Sequence, residues 1–206
     1  IPMDSISMGN QPKPRRNTAL RQHPGYMAWF MSDTAESLGS TLQDFAIALV
    51  AYSVSGSLIT AGLIPTVTRI ARQVANIFGG TVVDRHNRRL LTICNAAIGA
   101  LAWGCAGVLL ATSELSFPAL LVISVICALS NGLFGGATDA MLRSIVDTRD
   151  YPKARSLNEG RDAVIGMIGN PVSGALYSIC SWVPFIASSV MYGVSGICAA
   201  MLRPSS

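Results

Sequence analysis

Six apolar segments of membrane-crossing length constrain this chain more than any other feature. They cover residues 27–54, 57–83, 90–111, 117–141, 158–179 and 182–202. A helix needs about 20 apolar residues to cross the hydrocarbon core of a bilayer, and each segment is close to that length or above it. No water is present there to satisfy backbone N–H and C=O groups, so each segment must bond within itself as a helix. Composition agrees: 13% of the 206 residues are charged, where a soluble domain carries about a quarter. The mean hydropathy is +0.45. The expected fold class is an all-α membrane protein with six transmembrane helices, and its first partner is the lipid bilayer.

Loop charge sets an expected orientation. Residues 1–26 are polar and carry Lys13, Arg15, Arg16 and Arg21; they read as a cytoplasmic N-terminal tail. They lack the apolar core of a secretory signal peptide. Arg85, Arg88, Arg89, Arg143, Arg149, Lys153, Arg155 and Arg203 fall on the same side as that tail. The turns near Ser55, Ser113 and Ser181 carry no Lys or Arg. The positive-inside rule then places both termini in the cytoplasm of a multi-pass cell-membrane protein. The loop 143–155, with Asp147, Asp150 and Pro152, is expected to be a short amphipathic surface segment joining two sets of three helices.

Several function classes are disfavoured. The net charge of +4 comes from basic residues flanking apolar blocks without interleaved aromatics, which argues against nucleic acid as a partner. The five cysteines lie inside apolar segments without CxxC spacing, far from His23 and His86. They read as small buried hydrophobes, and neither a metal site nor a cofactor is expected. Within these 206 residues there is no Gly-x-x-x-x-Gly-Lys phosphate loop, no Gly-x-Ser-x-Gly and no His in a span. The chain is therefore expected to be neither an ATP-driven pump nor an enzyme.

Charges inside a span normally face a cavity or a partner. Segment one carries Asp33, Glu36 and Asp44; segment two carries Arg69 and Arg72; segment four carries Asp139; segment five carries Glu159, Arg161 and Asp162. Segments three and six carry no charge between 90 and 111 or between 182 and 202. At 100° per residue, Asp33, Glu36, Ser40, Gln43 and Asp44 share one face, as do Arg69, Arg72 and Asn76. Folding segments one and two about Ser55 is expected to bring Arg69 to Asp44 and Arg72 to Glu36. These residues are either a proton and substrate path or a set of structural ion pairs.

Two short motifs refine this reading. Gly80-Thr81-Val82-Val83-Asp84-Arg85-His86-Asn87-Arg88-Arg89 resembles the loop between the second and third helices of major facilitator superfamily transporters. Asn87 stands where that pattern has a second glycine, and Asn tolerates a left-handed turn. Gly166-Met167-Ile168-Gly169-Asn170-Pro171-Val172-Ser173-Gly174 resembles the antiporter motif of proton-coupled exporters. Its small residues permit close helix contact, and Pro171 removes a backbone bond and kinks the helix.

Residues 26–202 as a whole resemble the N-terminal half of bacterial multidrug exporters of that superfamily, near the macrolide-efflux type. Leu42-Gln43-Asp44-Phe45-Ala46 and Phe134-Gly135-Gly136-Ala137 also carry the likeness. The resemblance implies two inverted three-helix repeats over residues 27–202, with 203–206 opening a truncated cytoplasmic linker. It implies a conformational latch of Asp84, Arg85, Arg88 and Arg89, with Gly80 permitting close contact, and protons as the coupling ion. An arginine in helix four that many members use for coupling is missing, with Ala128 near its place; either Arg69 or Arg72 substitutes for it, or coupling is altered. The chain is expected to be half of a protein of about 400 residues that pairs with a C-terminal six-helix half. The expected cargo is a small amphipathic drug such as a macrolide. The alternatives are a siderophore or metabolite exporter of the same fold, a non-transporting half-transporter or scaffold, and a homodimer of six-helix chains.

Overall fold

The computed structural model describes residues 25–202, so the tail and linker readings lie almost wholly outside it. Among the described residues there are seven α-helices and no strand: α1 (Tyr26–Ser55), α2 (Leu58–Arg85), α3 (Arg88–Ala111), α4 (Phe117–Phe134), α5 (Gly136–Ile145), α6 (Tyr151–Ile179) and α7 (Val183–Met201). Helices α4 and α5 together make a 29-residue segment of spanning length, interrupted at Gly135. The Gly135-Gly136 pair is a poor helix former, which is where such a break is cheapest.

Local chemistry explains where the helices start and stop. Gly56 ends α1 in the left-handed conformation (φ 66°) and donates its N–H to the Tyr52 carbonyl at 2.8 Å. Glycine closes helices this way at no steric cost. Ser57 follows at once, and its hydroxyl accepts the Thr60 N–H to start α2. Ser116 does the same for α4 from the Ala119 N–H. Asn87 caps α3: its Oδ1 accepts the Arg89 N–H at 3.0 Å. Its backbone is extended (φ −65°, ψ 112°), not left-handed as the motif suggested. Asn therefore serves here as an N-cap, a role in which it is among the preferred residues.

The expected amphipathic segment between the two sets of helices is absent. Helix α5 runs on to Ile145 and α6 begins at Tyr151, leaving a link of residues 146–150. The Asp147 carbonyl accepts the N–H groups of Asp150 and Tyr151, tightening the link. Pro152 falls in the first turn of α6, where its missing N–H costs nothing. Pro65 and Pro171 lie within α2 and α6, and both helices continue past them.

Three segments are long and apolar enough to cross a membrane by length and composition: α3, α4 with α5, and α7. Helices α1, α2 and α6 have 30, 28 and 29 residues, so length does not separate them. Their Asp, Glu, Arg, Asn and Gln residues do.

Helix α7 packs along α1 and α3, α4 packs on α2, and α6 packs on α1. At one end, Trp103 of α3 stacks on Phe185 of α7 with ring centroids 5.7 Å apart, within a core that includes Val50, Ile64, Leu120 and Tyr192. At the other end, Trp29 is buried with Tyr26, Met141, Leu142 and Leu202 and donates its indole N–H to the Thr138 carbonyl at 2.9 Å. Small hydroxyls tie α1 to its neighbours: Ser188 donates to the Gly39 carbonyl at 2.8 Å and Ser173 to the Leu42 carbonyl at 2.5 Å. Such bonds between membrane helices contribute about 0.6 kcal/mol each.

Candidate functional site

A polar cavity of about 330 Å³ lies where α1, α2, α4, α5, α6 and α7 converge. Five carboxylates line it, Asp33, Glu36, Asp139, Glu159 and Asp162, together with three guanidiniums, Arg72, Arg155 and Arg161. The cavity is thus acidic on balance and lies within a largely apolar bundle.

Helix α6 supplies most of the positive charge. Arg161 Nη2 donates to Asp33 Oδ2 at 2.5 Å and to Asp162 Oδ1 at 2.7 Å. Its Nη1 donates to Thr34 Oγ1 at 3.0 Å, and the guanidinium sits over the Phe30 ring, 5.1 Å from the centroid. The side chains of Arg161 and Asp33 are only 11% and 19% exposed, so solvent screens this pair little. A second cluster, Arg155 with Asp139 at 2.9 Å and Glu159 at 2.8 Å, is about half exposed and correspondingly weaker.

A hydrogen-bond network joins Glu36 to α3 and α4. Asn95 Nδ2 of α3 donates to Glu36 Oε1 at 2.7 Å and to Asn131 Oδ1 of α4 at 3.0 Å. Asn95 Oδ1 accepts the Ser130 hydroxyl at 2.8 Å. Tyr192 of α7 is fully buried beside it. Asn95, Asn131, Thr138, Asn158 and Tyr192 carry no signal in the sequence, where Arg161 and Asp139 stand out only as charges within segments five and four. An isolated Asn or Tyr in an apolar run gives no periodic signal, and α3 reads from its charges as an outer helix.

The residues expected to form the path fall into three groups. Asp33, Glu36, Ser40 and Arg72 line the cavity. Gln43 is buried in the bundle at 2% exposure. Asp44, Arg69 and Asn76 are exposed on the outer surface of α1 and α2. No ion pair joins Asp44 to Arg69 among the described residues. The paired arginine of the site is Arg161 from α6, not either candidate from α2.

The loop motif is divided as well. Arg88 Nη1 donates to the Ala140 carbonyl of α5 at 2.9 Å. Arg89 donates through Nε to the Ala199 carbonyl at 3.3 Å and through Nη2 to the Ala200 carbonyl at the end of α7. The last turn of a helix attracts cations, which fits the placement of Arg89 at the end of α7; Arg88 instead bonds the middle of α5. Asp84 and Arg85 are exposed, and Asp84 makes no ion pair among the described residues. Gly80 has open space where a Cβ would stand; the close helix contact belongs to its neighbour Gly79.

In the α6 motif, Gly169 packs against Thr41 and Gly174 against Phe45, so these two small residues set the α1–α6 contact. Gly166, Asn170 and Pro171 are exposed on the other side of α6.

Comparison with protein families matches residues 29–206 to the family described as the Major Facilitator Superfamily. No curated protein matches the chain.

Proposed function

The chain belongs to the Major Facilitator Superfamily, whose members are transporters, and from that premise we propose that it is the N-terminal half of a proton-coupled exporter of small amphipathic molecules. Macrolide-like drugs are the proposed cargo, the cell membrane is the proposed location, and both termini are proposed to be cytoplasmic. The observation that carries the reading is the placement of polar groups at mid-helix. Asp44, Arg69, Gln73 and Asn76 are all exposed on α1 and α2, and they adjoin the charged cavity through Arg72. Hydrocarbon cannot accommodate such a strip, so it needs water and a second protein wall. A C-terminal six-helix half is the proposed wall.

Two inverted three-helix repeats are part of the same proposal. Their support is the way contacts pair off: α1 on α6 mirrors α4 on α2, and α3 meets α7. Alternating access would rock this half against its partner around the polar strip.

The test uses the full-length transporter in bacterial cells. Efflux of radiolabelled erythromycin should stop when a protonophore collapses the proton gradient and resume when the gradient is restored. Erythromycin retention that is indifferent to expression of the transporter would reject the drug-export reading. Efflux that persists without the gradient would reject proton coupling.

A further inference from the structure

We infer that Glu36, and not Asp33, carries the exchangeable proton in this half, an assignment that rests on the proton-coupled reading above. The two acids sit three residues apart on one face of α1 and both line the cavity, yet their surroundings differ in kind.

Asp33 is committed. Its carboxylate faces Arg161 at 2.5 Å, and protonating it would leave a buried guanidinium short of one of its two acidic partners. Glu36 has no ion pair among the described residues. Its Oε1 accepts one amide N–H from Asn95, and its Oε2 is buried with no hydrogen-bond partner. Asn95 has nothing left to offer: its second N–H goes to Asn131 and its carbonyl is taken by Ser130. Ser130 thereby fixes which end of the Asn95 amide faces Glu36.

A buried carboxylate needs several donors or a cation, and this one has a single neutral donor. The same geometry suits a neutral carboxyl, with Oε1 as the carbonyl oxygen accepting from Asn95 and Oε2 as the hydroxyl. This geometry penalises a charged Glu36 more than a neutral one, as a proton-carrying site requires.

Other titratable and charged groups line the same cavity as Glu36: Asp33 on α1, Arg72 on α2, Asp139 on α5, Arg161, Asp162 and the Arg155–Glu159 pair on α6, and Tyr192 on α7. From α3, Asn95 bonds Glu36, and Asn131 and Ser130 of α4 bond Asn95 in turn. Arg155 and Arg161 are engaged in ion pairs, while Arg72 makes none among the described residues. Loading forms an O–H bond at Oε2 with a proton taken from a hydronium in the cavity, which leaves as water. Release breaks that bond and returns the proton to water; of the cations lining the cavity, Arg72 is the one that makes no ion pair among the described residues.

The experiment reconstitutes the full-length transporter in proteoliposomes with radiolabelled erythromycin as probe. Wild type should show export driven by a pH gradient. Glu36→Gln, which mimics the loaded state, should lose gradient-driven export while retaining erythromycin exchange in the absence of a gradient. Asp33→Asn should keep its pH-driven component in whatever fraction of protein remains folded. Gradient-driven export that survives Glu36→Gln would overturn the assignment and leave the export reading standing. Loss of coupling with retained exchange in Asp33→Asn would do the same. A wild type that exports without regard to the gradient would instead overturn proton coupling, and the assignment with it. Dicyclohexylcarbodiimide, which reacts with protonated buried carboxyls, gives a readout on wild type that needs no variant. Mass spectrometry should find the adduct on Glu36, declining as pH rises, and an adduct on Asp33 instead would reject the inference.

Discussion

Gly79 of α2 and Gly132 of α4 bring two helix backbones into direct contact. A Cβ on Gly79 would stand 2.5 Å from the Gly132 carbonyl oxygen, and a Cβ on Gly132 would stand 2.5 Å from the Ala75 Cβ and 2.6 Å from the Arg72 carbonyl oxygen. This crossing holds α2 against α4 next to Arg72, so it sets the wall of the cavity on that side.

Gly132→Ala should destabilise the folded protein by about 1–3 kcal/mol, the usual cost of overpacking. Backbone cannot move aside as a flexible side chain can. Gly193→Ala on α7, where nothing lies within 4 Å of the added Cβ, should be neutral or stabilising, since Ala is favoured over Gly in a helix by about 0.5–1 kcal/mol. Thermal unfolding in detergent separates the two; equal midpoints would refute the close crossing.

Arg161→Gln should be more damaging than Asp33→Asn. Removing the arginine leaves Asp33 and Asp162 both uncompensated, whereas removing Asp33 leaves Arg161 its contact with Asp162. Breaking a buried ion pair from one side costs about 3–5 kcal/mol. The double variant should therefore be more stable than the sum of the single losses implies. Strict additivity would show that the pair is not buried in the functional protein.

Asp44→Asn and Arg69→Gln should act independently, because no ion pair joins them. Their combined effect on stability should equal the sum of the separate ones within about 0.3–0.5 kcal/mol. A coupling energy well above that range would restore the pairing expected from the hairpin.

Asp84→Asn should leave stability within about 0.5 kcal/mol of wild type, as expected for an exposed residue that makes no ion pair among the described residues. In the full-length transporter it should still slow transport while preserving drug binding, if Asp84 latches onto the proposed C-terminal half. Lost binding affinity with an unchanged balance of conformations would place Asp84 in the substrate site instead.

A cysteine at Ser113, in a background lacking the five native cysteines, should react with an impermeant reagent in intact cells. A cysteine at Arg149 should not. The reverse pattern would invert the proposed topology.

Much of this protein is set along the chain itself. Apolar runs of spanning length, broken at Gly56, Ser57, Asn87 and Ser116, determine the helices, because in lipid each must satisfy its own backbone and each break supplies a cap or a left-handed residue. The periodic placement of Asp33, Glu36 and Ser40 likewise determines that one face of α1 is polar. Only the tertiary structure decides which groups from other helices meet that face. Arg161 lies 128 residues from Asp33, and Asn95 sits in a helix whose interior carries no charge. Their meeting depends on the order in which helices pack, which in turn rests on backbone contacts such as Gly79 with Gly132. Helical periodicity specifies a direction around one axis and carries no information about the neighbour on that side. For that reason the expected partner Arg69 ended on the outer surface, while Arg161 and Asn95 divided the two acids of α1 into one held by charge and one held by a neutral amide.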